Sequence, residues 1–294
     1  MTEPLRVGLI GAGPWAQETH APALAAHPGI DFVGGWARNP AAADALFPRT
    51  FDSPEALFSA VDAVAFAVPP NVQAPLAIAA AQAGKHLILD KPIALDLDAA
   101  TQLAAAVSAA GVRSIVAFTR RFAPETREFV DRACAITPVA VEAQWLSGAA
   151  LSGKFAASAW RQEQGALFDV GPHILDLVDA AAGPVSSVSA ARYDAPSDTW
   201  TVQLDHADGA ASSISLSLRT PAIPTVMRVS AHSTTGIAVL DSRETSSAEC
   251  FRVLLDEFLD SIATGVDHPL GVLRGLALQR VITQIQEAQC PSGG

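Results

Sequence analysis

The chain has 294 residues, half of them apolar, and its 30 acidic and 19 basic side chains leave a net charge of −11. That length accommodates two domains with separate cores. The acidic balance, with no basic stripe, excludes a phosphate-backbone partner. No uncharged apolar stretch reaches the ~18 residues of a membrane helix. The start, Met-Thr-Glu-Pro, has neither the basic nor the apolar region of a signal peptide. Cys134, Cys250 and Cys290 are scattered and odd in number, which fits a reducing compartment without a disulfide frame. With no CxxC or HExxH, no metal site is expected. The expectation is a soluble cytoplasmic protein.

Short β-like runs alternate with Ala-rich helical ones over the first 118 residues. Leu5–Ile10, Ile30–Ala37, Ala63–Val68, His86–Leu89 and Arg113–Phe118 read as strands. Helices fall near Pro14, Ala41–Phe47, Pro54–Ala60, Val72–Ala83 (stopped by Gly84) and Asp96–Ala110 (stopped by Gly111). That alternation predicts a doubly wound parallel Rossmann sheet over residues 1–118. The pattern then changes. After a helix at Pro124–Ala133, strands are expected at Val139–Leu146, Val185–Tyr193, Trp200–Asp205, Ala210–Leu218 and Val226–Ala231. Turn residues such as Asp208-Gly209 suggest antiparallel pairing. Helices near Ser247–Thr264 and Pro269–Ala288 complete an α+β domain over residues 119–294, with a mostly antiparallel open sheet.

The first strand runs into Gly11-Ala-Gly13-Pro14-Trp15-Ala16. Gly11 can take the tight turn, Gly13 lets backbone approach a pyrophosphate, and small Ala16 allows close helix–strand packing. The following helix start, from Pro14 and Trp15, offers free N–H groups and a partial positive charge to an anion. A dinucleotide is the expected ligand.

The ribose end points to a particular one. An NAD site typically places Asp or Glu at the end of the second strand. Here that strand ends Gly34-Gly35-Trp36-Ala37-Arg38, and Asp31 sits at its beginning. Ala37 leaves room for a phosphate and Arg38 offers a planar cation. NADP(H) is therefore expected over NAD(H), which stays possible.

Two further segments carry chemistry. The chain has three lysines, Lys85, Lys91 and Lys154, and Lys91 follows a parallel strand within Asp90-Lys91-Pro92. Ligands bind at the carboxyl ends of such strands, and lysine, unlike arginine, exchanges protons readily. Pro92 restricts the lysine backbone. Farther on, Asp169-Val-Gly171-Pro-His173 puts an imidazole near a helix start with a carboxylate four residues earlier, a pair suited to moving a hydroxyl proton.

One near-motif is rejected: Gly148-Ala-Ala-Leu-Ser-Gly153-Lys154-Phe155 almost spells a P-loop, but Phe155 cannot hold Mg²⁺. Lys154 is left as a candidate for the substrate mouth. In the second domain Ser213, Ser215 and Ser217 share one strand face, as do Thr201, Gln203 and Asp205 on another strand. So neutral a face suits cover by another subunit, hence an expected homodimer or homotetramer.

Together these segments resemble the glucose–fructose oxidoreductase/inositol 2-dehydrogenase (Gfo/Idh/MocA) family. The likeness rests on Gly11-Ala-Gly13, Val68-Pro69-Pro70-Asn71, Ala83-Gly84-Lys85-His86 with Asp90-Lys91-Pro92, Trp160-Arg161, the Gly165 loop, Asp169-x-Gly171-x-His173, and Phe258-Leu259-x-x-Ile262. The resemblance implies Lys91 and His173 as the catalytic pair and Asp169 as a substrate or proton-relay partner. It implies cofactor contacts from Gly11, Gly13, Pro14, Trp15, Pro69, Asn71, Asp90 and Lys91, with Arg120, Trp160 and Arg161 on the substrate side. The sequence departs from the family pattern at Asp90 (usually Glu), Gln73 (often His), Ala166 (a second Gly) and Thr119 (Asn or Tyr). The implied function is an oxidoreductase moving a hydride between nicotinamide and a sugar, polyol or related small hydroxy or keto compound. Alternatives are a non-catalytic NADP-binding regulator or partner subunit, and an imine or linear-tetrapyrrole reductase.

Overall fold

The computed structural model describes residues 3–152 and 158–289. They divide into two units, Met1–Phe122 with Ser246–Gln279, and Ala123–Thr245 with Arg280–Gly294.

In the first unit β1 (Leu5–Ile10), β2 (Ile30–Trp36), β3 (Ala63–Phe66), β4 (His86–Leu89) and β5 (Ser114–Val116) form a parallel sheet in the order β2-β1-β3-β4-β5. Val7, Leu9 and Ile10 of β1, all of β3, and Leu87–Leu89 are closed to solvent. Apolar runs of this kind form strands covered on both faces. A π-helical turn (Ala16–His20) leading into α1 (Ala21–Ala26) joins β1 to β2, and α2 (Pro40–Leu46) and α3 (Pro54–Ala60) lead to β3. Next come α4 (Pro70–Gln82) and α5 (Leu97–Ala110). Helix boundaries follow side-chain caps: Asn39, Ser53 and Asp96 accept N–H bonds from the first turns of α2, α3 and α5, and Gly111 ends α5 in the left-handed region. From β1 the chain goes to β2 on one side and then to β3 on the other. The switch point, where ligands bind in such sheets, thus lies between β1 and β3.

The second unit contains α6 (Pro124–Ile136), β6 (Ala140–Leu146), α7 (Ala159–Asp169), α8 (Gly171–Ala182) and β7 (Val185–Asp194). Strands β8 (Thr199–His206), β9 (Ala211–Ser217), β10 (Val226–Ser233) and β11 (Gly236–Leu240) follow. The sheet order is β11-β10-β6-β9-β8-β7, and β6 pairs with β9 in parallel while the other neighbours are antiparallel. The sheet is mostly antiparallel, as the sequence predicts, and β6–β9 is the parallel pair among the described strands. That pair arises because α7, α8, β7 and β8 intervene, so β9 returns in the direction of β6. The sequence pattern also missed β11, a short strand begun at Gly236. Trp200, Val202, Leu204, Ile214 and Leu216 are buried, and Thr201, Gln203 and Asp205 are exposed. Ser217 departs from the neutral face expected for it: it is fully buried and donates to the Ser197 carbonyl at 2.8 Å.

After β11 the chain returns to the first unit, so a single break after Phe118 does not describe the division. Helix α9 (Ser247–Thr264) starts with a reciprocal Ser246/Glu249 cap and buries Phe251, Leu254, Leu255 and Phe258. Asp256 on α9 bonds His27 Nε2 at 3.0 Å, and the Leu270 carbonyl accepts the Val116 N–H at 2.7 Å. Helix α10 (Val272–Glu287) begins in the first unit, its first N–H bound to Ser114 Oγ, and crosses the division after Gln279. No helix among the described residues is long and apolar enough to cross a membrane, and no metal-ligand cluster occurs among them.

Candidate active site

Every candidate residue of the first unit follows the carboxyl end of a parallel strand. Gly11, Gly13, Pro14 and Trp15 come after β1, Ala37 and Arg38 after β2, Pro69 and Asn71 after β3, Asp90 and Lys91 after β4, and Arg120 after β5 in a short 3₁₀ turn (Thr119–Phe122). The topology thus gathers them along one edge. Gly11 holds φ +111, and a Cβ there would overlap the Ala67 carbonyl oxygen and lie 2.8 Å from Val68 Cγ1. The glycine turn therefore packs directly on the loop after β3, and only glycine fits both the dihedral and the approach. A Cβ on Gly13 would meet no atom within 4 Å, so its backbone faces open space beside the helix start. Ala16 is fully buried. A closed turn, an exposed second glycine and a small buried third position suit a pyrophosphate. Arg38 is exposed and Ala37 half-buried at the far end of β2.

The Lys91 segment leaves β4 as irregular backbone, with Lys91 half-buried and a cis peptide bond to Pro92. Two carboxyl or carboxamide side chains hold it. Asp90 Oδ1 accepts the Lys91 N–H at 2.7 Å, and buried Gln73 on α4 bonds the backbone of Asp90, Pro92 and Ile93. The carboxylate of Asp90 thus engages its own loop. Gln73, which reads in the sequence only as a departure from a family pattern, is part of the site's frame.

The second unit builds its own cluster. Asp169 at the end of α7 pairs through Oδ2 with Arg161 Nε at 3.1 Å, and the Arg161 guanidinium lies 4.9 Å from the Trp160 ring centroid. His173, in the first turn of α8, stacks on Trp145 of β6 with ring centroids 5.8 Å apart and planes 17° apart. Arg161, Asp169 and Trp160 are thus brought together. Lys154 lies outside the described residues.

Between these groups the chain kinks at Gly165, which takes φ +65 and ψ −161. A Cβ there would overlap the Asp198 carboxylate, whose oxygens accept the Ala166 N–H at 3.0 and 3.2 Å. Asp198 is 3% exposed, and burial pushes its carboxyl above the ordinary range. Tyr193 also donates to it, at 3.4 Å, and burial beside this carboxylate raises the phenol. Sequence reasoning missed Asp198 and Trp145. Nothing in Asp194-Ala-Pro-Ser-Asp198 marks its last residue, and the interior alternation of β6 marks Trp145 only as core.

Residues 5–118 match the model of the oxidoreductase family with an NAD-binding Rossmann fold (GFO_IDH_MocA), and residues 125–239 match the GFO/IDH/MocA C-terminal domain. The chain belongs to the Gfo/Idh/MocA oxidoreductase family. It is similar to inositol 2-dehydrogenase of Rhizobium meliloti (strain 1021), 34% identical over 126 residues that cover 41% of this chain and 38% of that protein. Matched segments span between 30% and 58% of the length of four curated relatives. The fold is shared with levoglucosan dehydrogenase in complex with NADH and L-sorbose, at TM-score 0.87 and 19% identity over 98% of this chain and 97% of the other. It is shared equally with GenD2 from gentamicin A biosynthesis in complex with NAD, at TM-score 0.87 and 19% identity over 98% and 95% of the two chains. The first of these family models is that of an NAD-binding Rossmann fold, and it spans all five strands of the first unit.

Proposed function

We propose that the protein transfers a hydride between a nicotinamide cofactor, NADP(H) in preference to NAD(H), and a sugar, polyol or related small hydroxy or keto compound. The observation that carries this reading is the packing of Gly11 against the Ala67–Val68 backbone at the β1/β3 switch point, with Lys91 presented after the neighbouring strand β4. When bound, the nicotinamide supplies the hydride acceptor or donor. Gly13 and the helix start at Pro14 would hold the pyrophosphate, with Pro69 and Asn71 after β3 as further cofactor contacts. Ala37 leaves space for the 2′-phosphate, and Arg38 pairs with it.

Lys91 and His173 move the proton. On oxidation one of these side chains would accept the substrate hydroxyl proton, and on reduction it would return it. The Trp145 stack fixes the imidazole plane. Asp169, held by Arg161, orients the substrate hydroxyls or relays the proton, and Arg120 and Trp160 serve the substrate side. The sugar or polyol class is supported by the relatives: inositol 2-dehydrogenase, and galactose 1-dehydrogenase of Pseudomonas fluorescens, 34% identical over 93 residues. The outer face of the second sheet, where Thr201, Gln203, Ser213 and Ser215 stand beside Glu142, Arg192 and Arg228, serves a homodimer or homotetramer. Light scattering tests this last point, and a monomer at micromolar concentration contradicts it.

The function is tested by following reduced-nicotinamide absorbance with NADP⁺ or NAD⁺ against myo-inositol, D-galactose, levoglucosan and L-sorbose. Turnover with at least one, faster with NADP⁺, is the expected result. Cofactor binding without turnover on the panel or its keto counterparts would instead favour a cofactor-binding regulator.

A further inference from the structure

We propose that Gln73 is the positioning residue for Lys91, an inference that rests on the reading of Lys91 as a proton-transfer group. Beyond Leu89 the chain leaves the ladder, and residues 90–93 have no sheet neighbour to fix them. Gln73 replaces that neighbour. Its side-chain oxygen accepts the Asp90 N–H at 2.8 Å, and its Nε2 lies 2.8, 3.2 and 3.3 Å from the carbonyl oxygens of Asp90, Ile93 and Pro92. Two amide protons shared among three acceptors leave no donor of the carboxamide unused. With Asp90 Oδ1 on the Lys91 N–H, one carboxamide and one carboxylate fix the backbone on both sides of the Lys91 Cα.

Gln73 is fully buried, so this network exchanges little with water. The side chain also stands on α4, whose first turn holds Asn71 and directly follows Pro69. The helix that carries the clamp on the lysine loop therefore follows directly from the Ala67–Val68 segment packed on Gly11, tying the Lys91 backbone to the glycine turn. Misplacing a reacting group by about 1 Å is enough to cost on the order of 10²-fold in rate.

The test compares the parent with Gln73→Met, which keeps length and removes all four bonds, and with Gln73→Glu, which keeps the acceptor for the Asp90 N–H. The first probe is an amine acetylating reagent, with labelling of Lys85, Lys91 and Lys154 read by peptide mass spectrometry. In Gln73→Met the Lys91 labelling rate changes several-fold while Lys85 holds its parent rate; an unchanged Lys91 overturns the proposal. The second readout is a cycle with Lys91→Ala on a substrate from the panel. Gln73→Met lowers kcat about 10-fold with cofactor Kd and KM held, and the loss vanishes in the Lys91→Ala background. Equal losses in both backgrounds mean a merely structural glutamine and overturn it.

Should Gln73→Met fail to fold, Gln73→Glu decides. Its carboxyl donates to the loop only when protonated, so its turnover relative to the parent rises as pH falls; a flat ratio overturns the proposal. Full turnover in Lys91→Ala would defeat the catalytic reading and leave the labelling result standing, so the two failures are distinguishable.

Discussion

The imidazole of His173 lies almost parallel to the Trp145 indole, with centroids 5.8 Å apart and 17° between planes. Trp145 is itself held between Leu216 and Met227, its register partners on β9 and β10. A ring so backed keeps one orientation, which general acid–base chemistry requires. His173→Ala and Lys91→Ala are each expected to lower turnover by ~10²–10⁴, the usual share of an acid–base group. NADPH affinity, read by fluorescence, should stay close to the parent value in both. Trp145→Ala should give an intermediate loss. Parent rates in both alanine variants would remove the proton-transfer assignment.

Arg38 carries the cofactor preference. Arg38→Asp should weaken NADPH binding by about 10- to 100-fold, the value of a charge-assisted phosphate contact, and barely change NADH. Equilibrium titration with the two reduced cofactors measures it. Equal effects on both would mean that Arg38 is an ordinary surface cation.

The kink before Asp169 and His173 depends on the contact between Gly165 and Asp198. Gly165→Ala imposes a positive φ on a residue with a Cβ and drives that Cβ into the Asp198 carboxylate. Asp198→Ala leaves the Ala166 N–H without its acceptor. Each should cost about 1–3 kcal/mol in urea unfolding and lower kcat through displaced α7 and α8. Asp198→Asn, which keeps an acceptor oxygen and tolerates the φ of +48 found there, should cost less. A parent-like Gly165→Ala would contradict the strain argument.

His20 sets an acid limit on stability. It is fully buried against Phe251, ring centroids 4.5 Å apart, with no hydrogen-bond partner for either ring nitrogen among the described residues. Burial lowers its pKa from 6.5 to about 3. The unfolded chain therefore takes up this proton near pH 6.5 while the folded chain resists it until about pH 3, so stability falls as pH drops through that window. The slope is about 1.4 kcal/mol per unit, or about 2 kcal/mol between pH 6.5 and 5. His20→Leu should remove that part of the acid loss in urea titrations at the two pH values. Parallel losses in both proteins would rule His20 out as the cause.

Much of this was legible before any coordinates. The five parallel strands follow from buried apolar runs punctuated by glycine, and the strand–loop–helix order at Gly11 leaves few alternatives for its use. The direction of β9 was not legible, because pairing depends on what intervenes between strands rather than on their own alternation. The return of α9 to the first unit was hidden for a related reason: an amphipathic helix declares a buried face but not its partner, here supplied by His20 against Phe251 and His27 against Asp256 at great sequence distance. At the site, Lys91 and His173 stand out by residue type. Gln73 and Asp198 do not, since their work is to bond backbone atoms of segments far away in the chain.

Deuterium transfer tests the central claim most directly. The protein is mixed with NADP⁺ and a carbon-deuterated member of the sugar and polyol panel, and the reduced cofactor is read by mass spectrometry. Deuterium carried into the nicotinamide by the parent, and lost in Lys91→Ala, is the result expected here. A cofactor that binds yet gains no deuterium from any of the panel would contradict it.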